Sequence, residues 1–237
     1  MTRVVAIGLF MGIGHYGFMF YGIHIAGSLS SVAIAAQLTV PFSTLLAVLF
    51  LHERVGAPRV LAIVASFAGV VIIGFEPIDP QHIVALLYTA IASFAMAVAT
   101  ILMRQLKDVG VFNLQAWVAL CSVVSMGLVT SLIEKPDLQV LLNTPLPEYW
   151  TAVYSAVGAT IIGHGLLYYL LQRHSINSVA PFITLSTLFA IAFGIALLDD
   201  TLTVRIIIGG TLTLLGVTIV AVRNARENAP SGIRAPR

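Results

Sequence analysis

Residues 31–55, SVAIAAQLTVPFSTLLAVLFLHERV, recur 147 positions later as residues 178–202, SVAPFITLSTLFAIAFGIALLDDTL. Both stretches begin with Ser-Val-Ala, continue through a long apolar run and end in an acidic loop. A helix that crosses a membrane needs about 20 mostly apolar residues, and each copy is long enough to supply one. The duplication therefore predicts a helical membrane protein built from repeated units.

The composition of the whole chain also indicates a membrane protein. Of the 237 residues, 59% are hydrophobic and only 9% are charged, and the mean hydropathy is +1.00. A soluble domain of this length would need many more charged side chains to cover its surface. The formal net charge of +2 gives no reason to expect a nucleic-acid partner, and a single cysteine, Cys121, excludes an intramolecular disulfide framework.

The apolar runs predict eight membrane-spanning helices, and so an all-α, polytopic helical bundle. A membrane β-barrel is excluded, because its strands alternate in polarity over segments of about ten residues. The predicted spans cover residues 4–23, 32–51, 59–75, 83–103, 113–133, 151–171, 178–198 and 204–222.

The distribution of Lys and Arg predicts how the bundle is oriented. With the amino terminus in the cytoplasm, ten of the twelve Lys and Arg residues lie on the cytoplasmic side, and only Lys135 and Arg205 lie outside. Both termini are then cytoplasmic, and we expect the protein in the cell inner membrane. Residues 224–237 form a polar, Arg-rich tail, which we expect to be disordered and to contact anionic lipid.

The repeat is inverted relative to the membrane. The loop at Glu53 is cytoplasmic by this count, whereas the equivalent loop at Asp199 and Asp200 is external. A second motif is duplicated as well, since GIGHYG (12–17) aligns with IIGHGL (161–166) at an offset of 149. Inverted repeats build a site near the membrane midplane that can open to either side, which favours transport by alternating access.

These stretches resemble the drug/metabolite transporter superfamily, and specifically the EamA-type transporters, which include exporters of amino-acid metabolites. The resemblance is carried by residues 38–75 and 178–222, each an apolar helix, a short acidic loop and a closing helix with glycine. Residues 86–106, LLYTAIASFAMAVATILMRQL, resemble the opening helix of a second repeat. The resemblance implies an exporter of small polar metabolites, such as amino acids or their derivatives.

The resemblance also implies two repeats of five helices, but only three helices precede the second repeat here. We expect a partial first repeat at residues 1–76, a complete second repeat at residues 83–223 and the tail at 224–237. Either the chain is part of a longer protein, or it is an eight-helix variant that would close its cavity by forming a homodimer.

Six residues are candidates for substrate binding. His15 and His164 are, apart from tyrosines, the ionisable residues well inside the predicted spans, where such groups usually face a cavity. Gln37 and Pro41 lie four residues apart on one helix face, and the loss of a backbone donor at proline would attract water or ligand. The full set is His15, Gln37, Pro41, His164, Tyr168 and Thr184, where Tyr168 shares a face with His164 and Thr184 aligns with Gln37.

Each candidate has a structural alternative. The histidines and Gln37 could simply hydrogen-bond a neighbouring helix. Ser186 and Thr187 are weaker candidates, because a hydroxyl can bond its own helix backbone. The acidic loop residues Glu53, Asp199 and Asp200 are expected to stay solvated or to pair with Arg54 and Arg205, with a role as gates as the alternative. Spacings such as Gly8-x-x-x-Gly12 and Gly209-x-x-x-Thr213 predict close helix packing.

An enzyme is not expected. The sequence has no paired intramembrane carboxylates, no metal-ligand cluster and no Gly-rich phosphate loop. We therefore expect no cofactor, and the partners are a small-molecule substrate and membrane lipid. Two other readings stay open: a non-transporting truncated paralogue or helix-packing partner of another subunit, and an intramembrane metalloenzyme that uses His15, His164 and a third ligand.

Overall fold

A computed structural model of the chain describes residues 2–52, 55–75, 80–104, 110–133, 138–164, 166 and 176–227. The described residues form helices joined by short turns, which confirms the predicted all-α fold. The helices are α1 (Thr2–Leu9), a first π-helix (Phe10–Gly17), α2 (Phe18–His24), α3 (Leu29–Ala36), α4 (Thr39–Leu51), α5 (Ala57–Gly74), α6 (Pro80–Arg104), α7 (Val111–Ile133), α8 (Leu138–Asn143), a 3-10 turn (Leu146–Glu148), α9 (Tyr149–Val153), a second π-helix (Tyr154–His164), α10 (Ile176–Leu198) and α11 (Val204–Glu227).

Within the described part of the chain, six helical segments are long and apolar enough to cross a membrane. They match the first five predicted spans and the last one. The other two predicted spans, residues 151–171 and 178–198, fall on the second π-helix and on α10, and the first of them extends beyond the described residues. The six segments are Arg3–His24, Leu29–Phe50, Ala57–Gly74, Gln81–Met103, Gln115–Leu132 and Val204–Asn224.

Helix α6 packs against more of the other described helices than any other element, because its packed faces carry small side chains. It contacts the first π-helix, α2, α3 and α4. Small residues allow helix backbones to approach closely in a membrane, where burial of apolar surface drives little association. The buried residues of α6 include Ala85, Thr89, Ala92, Ser93, Ala95, Ala97 and Ala99.

The predicted close packing at Gly8 and Gly12 is confirmed. A methyl group added at Gly8 would overlap Cys121 of α7, and one at Gly12 would lie 2.6 Å from the hydroxyl of Ser125. The hydroxyl of Ser122 also donates to the Gly8 carbonyl at 3.4 Å. Glycines therefore hold the amino-terminal span against α7.

The contact between α5 and α11 is the most extensive helix contact among the described residues. A methyl group at Gly69 would overlap Thr213 and the carbonyl of Gly209, and one at Gly216 would overlap Ser66. The hydroxyl of Thr213 donates to the Ser66 carbonyl at 3.2 Å. Gly69 and Gly216 are 147 positions apart, as are Ser66 and Thr213, so the contact exchanges equivalent residues of the two repeats. A two-fold axis between the helices has this property, and inverted repeats predict one.

Two further local structures recur at equivalent positions. His52 and Asp199, which are 147 positions apart, end α4 and α10 in the left-handed region, with φ of 55° and 54°. His and Asp adopt this conformation more readily than most residues do. Each Gly-His motif lies in a π-helix, the first containing His15 and the second ending at His164. π-Helices are rare and are frequently found at functional sites.

Candidate functional site

The second membrane span is broken near its middle. Helix α3 ends at Ala36 and α4 begins at Thr39, with two residues between them. Pro41, which is fully buried, has no N–H to donate to the Gln37 carbonyl four residues earlier. That carbonyl instead accepts the N–H of Val40 at 3.1 Å, a bond to the third residue along rather than the fourth. The proline thus interrupts the helix where the sequence predicted a loss of backbone bonding.

The carbonyl of Ala36 is satisfied by side chains. The Thr39 hydroxyl donates to it at 2.9 Å, and the Ser93 hydroxyl of α6 donates at 3.2 Å. Irregular backbone at membrane depth is tolerated only where protein groups or a cavity satisfy it. Ser93, with no exposed surface, is the group from outside this span that meets this need.

The side chain of Gln37 connects the break to the second repeat. Its Nε2 donates to the hydroxyl of Thr187 in α10, and Thr187 is only 3% exposed. Sequence alignment of the repeats pairs Gln37 with Thr184, and the sequence makes Thr187 only a weaker candidate for substrate binding. The observed partner lies three residues further along α10, which places it one helical turn closer to the middle of that helix.

His15 packs against α6 beside this region. Its Nδ1 lies 3.1 Å from the carbonyl of Ala92, so in this hydrogen bond Nδ1 carries the proton. The preceding residue is Gly14, and a methyl group there would lie 2.8 Å from the side chain of Ala95. The glycine therefore lets α6 approach the π-helix closely enough for the imidazole to reach a backbone carbonyl.

Two consecutive residues of α6 contact the two parts of the site. The Ala92 carbonyl accepts a hydrogen bond from His15, and the Ser93 hydroxyl donates one to the Ala36 carbonyl at the break in the second span. These two bonds place His15 and the Ala36 carbonyl at adjacent residues of α6. We call this group the break site: Gln37, Pro41, Ser93, Thr187, the Ala36 carbonyl and, on the neighbouring side of α6, His15.

An aromatic cluster packs beside the break site. Phe42, the residue after Pro41, contacts Phe67 and Phe94 edge to face, with ring centroids 4.9 Å and 5.4 Å away. Aromatic rings are rigid, since only two side-chain torsions fix them. The cluster supplies an apolar surface next to the polar groups of the break, a combination that small-molecule sites commonly have.

The remaining predicted site residues are only partly within the described part of the chain. His164 ends the second π-helix and Thr184 lies in α10, but neither side chain is among those described. Tyr168 lies outside the described residues. Their role in substrate binding stays a prediction.

Sequence reasoning missed Ser93, because a serine in an apolar helix usually bonds its own backbone. The only signal is its setting: Ser93 faces the carbonyl that the proline-containing span releases, and this requires knowing how α3 and α6 pack. Thr187 was underrated for the same reason.

Among the described residues, the partly exposed Asp200 bonds α3 rather than Arg205, whereas Glu53 and Arg54, which belong to the same prediction, lie outside the described residues. The Asp200 carboxylate accepts hydrogen bonds from both the N–H and the hydroxyl of Ser30, each at 2.7 Å, and from the N–H of Leu29 at 3.3 Å. Arg205 instead donates to the Phe75 carbonyl. Asp200 therefore caps the amino terminus of α3 from the other repeat.

Comparison with known proteins identifies the family. The profile of the EamA-like transporter family matches residues 83–222, which is more than half of the chain. The chain belongs to the EamA-like transporter family. The predicted resemblance is confirmed, and the protein is a polytopic membrane protein of a transporter family.

Full-length relatives of this EamA-like chain carry related names. A probable amino-acid metabolite efflux pump of Salmonella typhimurium is 26% identical over 227 residues, which cover 92% of this chain and 76% of the relative. A protein of the same name in Escherichia coli is 23% identical over the same shares. An uncharacterized transporter of Archaeoglobus fulgidus is 25% identical over 93% of this chain and 77% of its own length.

The described residues of this EamA-like protein contain no group of three or more His, Cys, Asp or Glu side chains that could hold a metal ion. A catalytic zinc site needs three such protein ligands and a water. The metalloenzyme alternative uses His164, whose side chain is not among those described, and it stays an alternative.

Proposed function

We propose that the chain is a secondary transporter that exports small polar metabolites, amino acids or their derivatives, across the inner membrane by alternating access. Its EamA-like family and the efflux pumps among its relatives support this function. The observation that carries it is the broken second span, whose Gln37 bonds Thr187 of the other repeat. Transporter sites commonly form at such breaks, at the interface between repeats.

The chemistry of the break site supports a substrate without net charge. The described polar groups there are an amide, two hydroxyls, an imidazole and backbone carbonyls. An amide or hydroxyl can donate to a carboxylate, and the oxygen of an amide side chain or a hydroxyl can accept from an ammonium group. A fixed acidic or basic side chain would favour a charged substrate, whereas these groups suit both ends of a zwitterion. The aromatic cluster around Phe42 provides a surface for an apolar side chain.

The distribution of positive charge supports an orientation with both termini in the cytoplasm. The end of the bundle that contains Asp200 and the start of α3 is then external. A substrate would enter the break site from the cytoplasmic side and leave past Asp200.

Flux into and out of proteoliposomes tests the proposal. The purified chain is reconstituted, and efflux of labelled amino acids with neutral, acidic and basic side chains is measured. We expect saturable efflux of zwitterionic amino acids with neutral side chains. In the Thr187→Val variant, valine has nearly the same shape as threonine but cannot accept the hydrogen bond from Gln37. We expect efflux to fall about tenfold, because the buried amide of Gln37 is left unsatisfied.

Thr100→Val is the matched control. Thr100 lies in α6, and its hydroxyl bonds the Met96 carbonyl of its own helix at 2.8 Å. The Thr100→Val variant should export amino acids at the rate of the native chain. Absence of efflux for every amino acid in the native chain would contradict the proposal and would favour a non-transporting paralogue or partner subunit.

A further inference from the structure

The geometry points to Asp200 and Ser30 as an external latch, a contact that closes the break site from outside and opens once in each transport cycle. This inference rests on the proposed function. Asp200 acts as a positioning residue, because it contacts α3 and not the break site itself.

The contact is a charged cap on a helix from the opposite repeat. One oxygen of the Asp200 carboxylate accepts both the N–H and the hydroxyl of Ser30, and the other accepts the N–H of Leu29. The first N–H groups of a helix have no partner within the helix, and a carboxylate there also interacts favourably with the helix dipole. Ser30 has no exposed surface, although it lies at the end of the bundle. The carboxylate therefore seals the start of α3.

The loop after α10 aims the carboxylate at α3. Asp199 turns the chain in the left-handed region, and the Asp200 N–H donates to the Gly194 carbonyl at 3.1 Å. A methyl group at Gly194 would lie 2.9 Å from the Ser30 hydroxyl and 2.7 Å from the Asp200 carboxylate. Glycine at this position thus lets α10 touch the first turn of α3.

The latch and the break site lie along the same pair of helices. Ser30 meets Gly194, and Gln37 meets Thr187, so each pair is seven residues from the other along both helices. Seven residues of α-helix span about 10 Å. The two helices are therefore antiparallel and in register, and the contact at Ser30 lies between Gln37 and the external end of the bundle.

A permanent cap and a latch make different predictions. A permanent cap joins α3 and α10 in every state, so a covalent link between them would leave transport unchanged. In alternating access, the external ends of these helices must separate to release substrate. A covalent link at the latch would then hold one state and stop the cycle.

A disulfide tests this directly. Ser30→Cys and Gly194→Cys are combined in a Cys121→Ser background, which removes the native thiol. A Cβ atom at Gly194 would lie 2.9 Å from the Ser30 side-chain oxygen, so the side chains of two cysteines at these positions would be in contact, as a disulfide requires. We expect oxidation to form the bond and to lower efflux from proteoliposomes about tenfold or more, with recovery on reduction, because a locked transporter cannot change state. The two single-cysteine variants are the controls and should not respond to oxidant.

Three results would overturn the latch. The cysteine pair could fail to cross-link while Asp200→Asn leaves external labelling of the break site unchanged, which together would mean that α3 and α10 do not meet there. The cross-linked protein could transport as fast as the same protein with its disulfide reduced, which would make the contact a permanent cap. Reagent applied outside could label the break site equally before and after cross-linking, which would mean that the contact does not close the external side.

Labelling provides a measurement that needs no substrate. A Gln37→Cys reporter in the Cys121→Ser background is exposed to a membrane-impermeant thiol reagent applied from outside to whole cells. Adding Asp200→Asn should raise the labelling rate roughly fivefold to tenfold, because the amide loses the charge-assisted bonds to the start of α3. An unchanged labelling rate would contradict the latch. If the Asp200→Asn protein does not fold, the cysteine pair still tests the latch, because it keeps Asp200.

The two measurements separate the latch from the proposed function. If no amino acid is transported but Asp200→Asn still raises external labelling, the proposed function is wrong and the latch stands. If amino acids are transported but neither the disulfide nor Asp200→Asn has an effect, the function stands and the latch is wrong.

Discussion

Gly69→Ala should destabilise the protein, because Gly69 lies at the two-fold contact between α5 and α11. The added methyl group would overlap the carbonyl of Gly209 and the backbone and hydroxyl of Thr213. Backbone atoms cannot rotate away, so the helices must move apart. Overpacking of this kind costs about 1–3 kcal/mol, and alanine recovers at most about 1 kcal/mol through its higher helix propensity. Because the overlap is with backbone atoms, the cost should lie in the upper half of this range, which leaves a net loss of about 1–2 kcal/mol, or a factor of about 5–30 in the unfolding equilibrium.

The assay uses the single cysteine of the chain. Cys121 is partly buried in α7, so its reaction with a fluorogenic thiol reagent in detergent reports unfolding as the temperature rises. A loss of about 1–2 kcal/mol corresponds to a fall in Tm of about 2–8 °C for a chain of this size. Gly216→Ala, the symmetry-related change, should produce a similar fall.

Gly127→Ala is the matched control for Gly69→Ala. Gly127 lies within α7, and among the described residues no atom outside its own stretch of helix lies within 4 Å of where its methyl group would be. Alanine there should leave Tm unchanged or raise it slightly, since it is the better helix former. Equal Tm values for Gly69→Ala and Gly127→Ala would refute the close two-fold packing of α5 and α11.

Three other predictions concern the break site. Pro41→Ala restores an N–H for the Gln37 carbonyl, and since proline inside a helix costs about 3 kcal/mol, Tm should rise while efflux falls. Unchanged efflux together with a higher Tm would show that the break is not needed for transport. Ser93→Ala removes a hydroxyl donor from the Ala36 carbonyl and should lower Tm by about 2–4 °C, the shift expected for about 1 kcal/mol; a Tm equal to that of the native chain would exclude this bond as a support of the break. His15→Ala and His164→Ala should each lower efflux in proteoliposomes without preventing membrane insertion, and normal efflux with both imidazoles removed would defeat a role for the histidines.

The sequence predicts much of the fold because each membrane helix requires a long apolar run of residues, which can be recognised directly. Every polar backbone group must be satisfied within the lipid, so an apolar run of sufficient length has few alternatives to a helix. The repeat between residues 31–55 and 178–202 predicted related structural units, but not that α5 and α11 pack through equivalent residues. Glycine spacing predicted the close contacts at Gly8 and Gly209 for a physical reason, since only small residues allow such approach.

The site could be predicted only in part. Pro41 and Gln37 stand out because a proline and an amide are unusual in an apolar helix, and both lie at the break. The partners of the break, Ser93 and Thr187, are ordinary hydroxyl residues, and what distinguishes them is the packing of α6 and α10 around α3. Asp200 was assigned to solvent because an acidic loop residue usually is solvated, and its actual partner lies 170 positions earlier in the chain.

Countertransport is the measurement that tests the alternating-access transporter most directly. Proteoliposomes are loaded with an unlabelled zwitterionic amino acid, and uptake of the same labelled amino acid from outside is followed for the native chain and for Gln37→Leu. We predict that internal amino acid accelerates uptake by the native chain severalfold, because a loaded carrier returns its site across the membrane, and that Gln37→Leu abolishes this acceleration. Uptake by the native chain that does not respond to internal amino acid, or full acceleration with Gln37→Leu, would contradict an alternating site at the break.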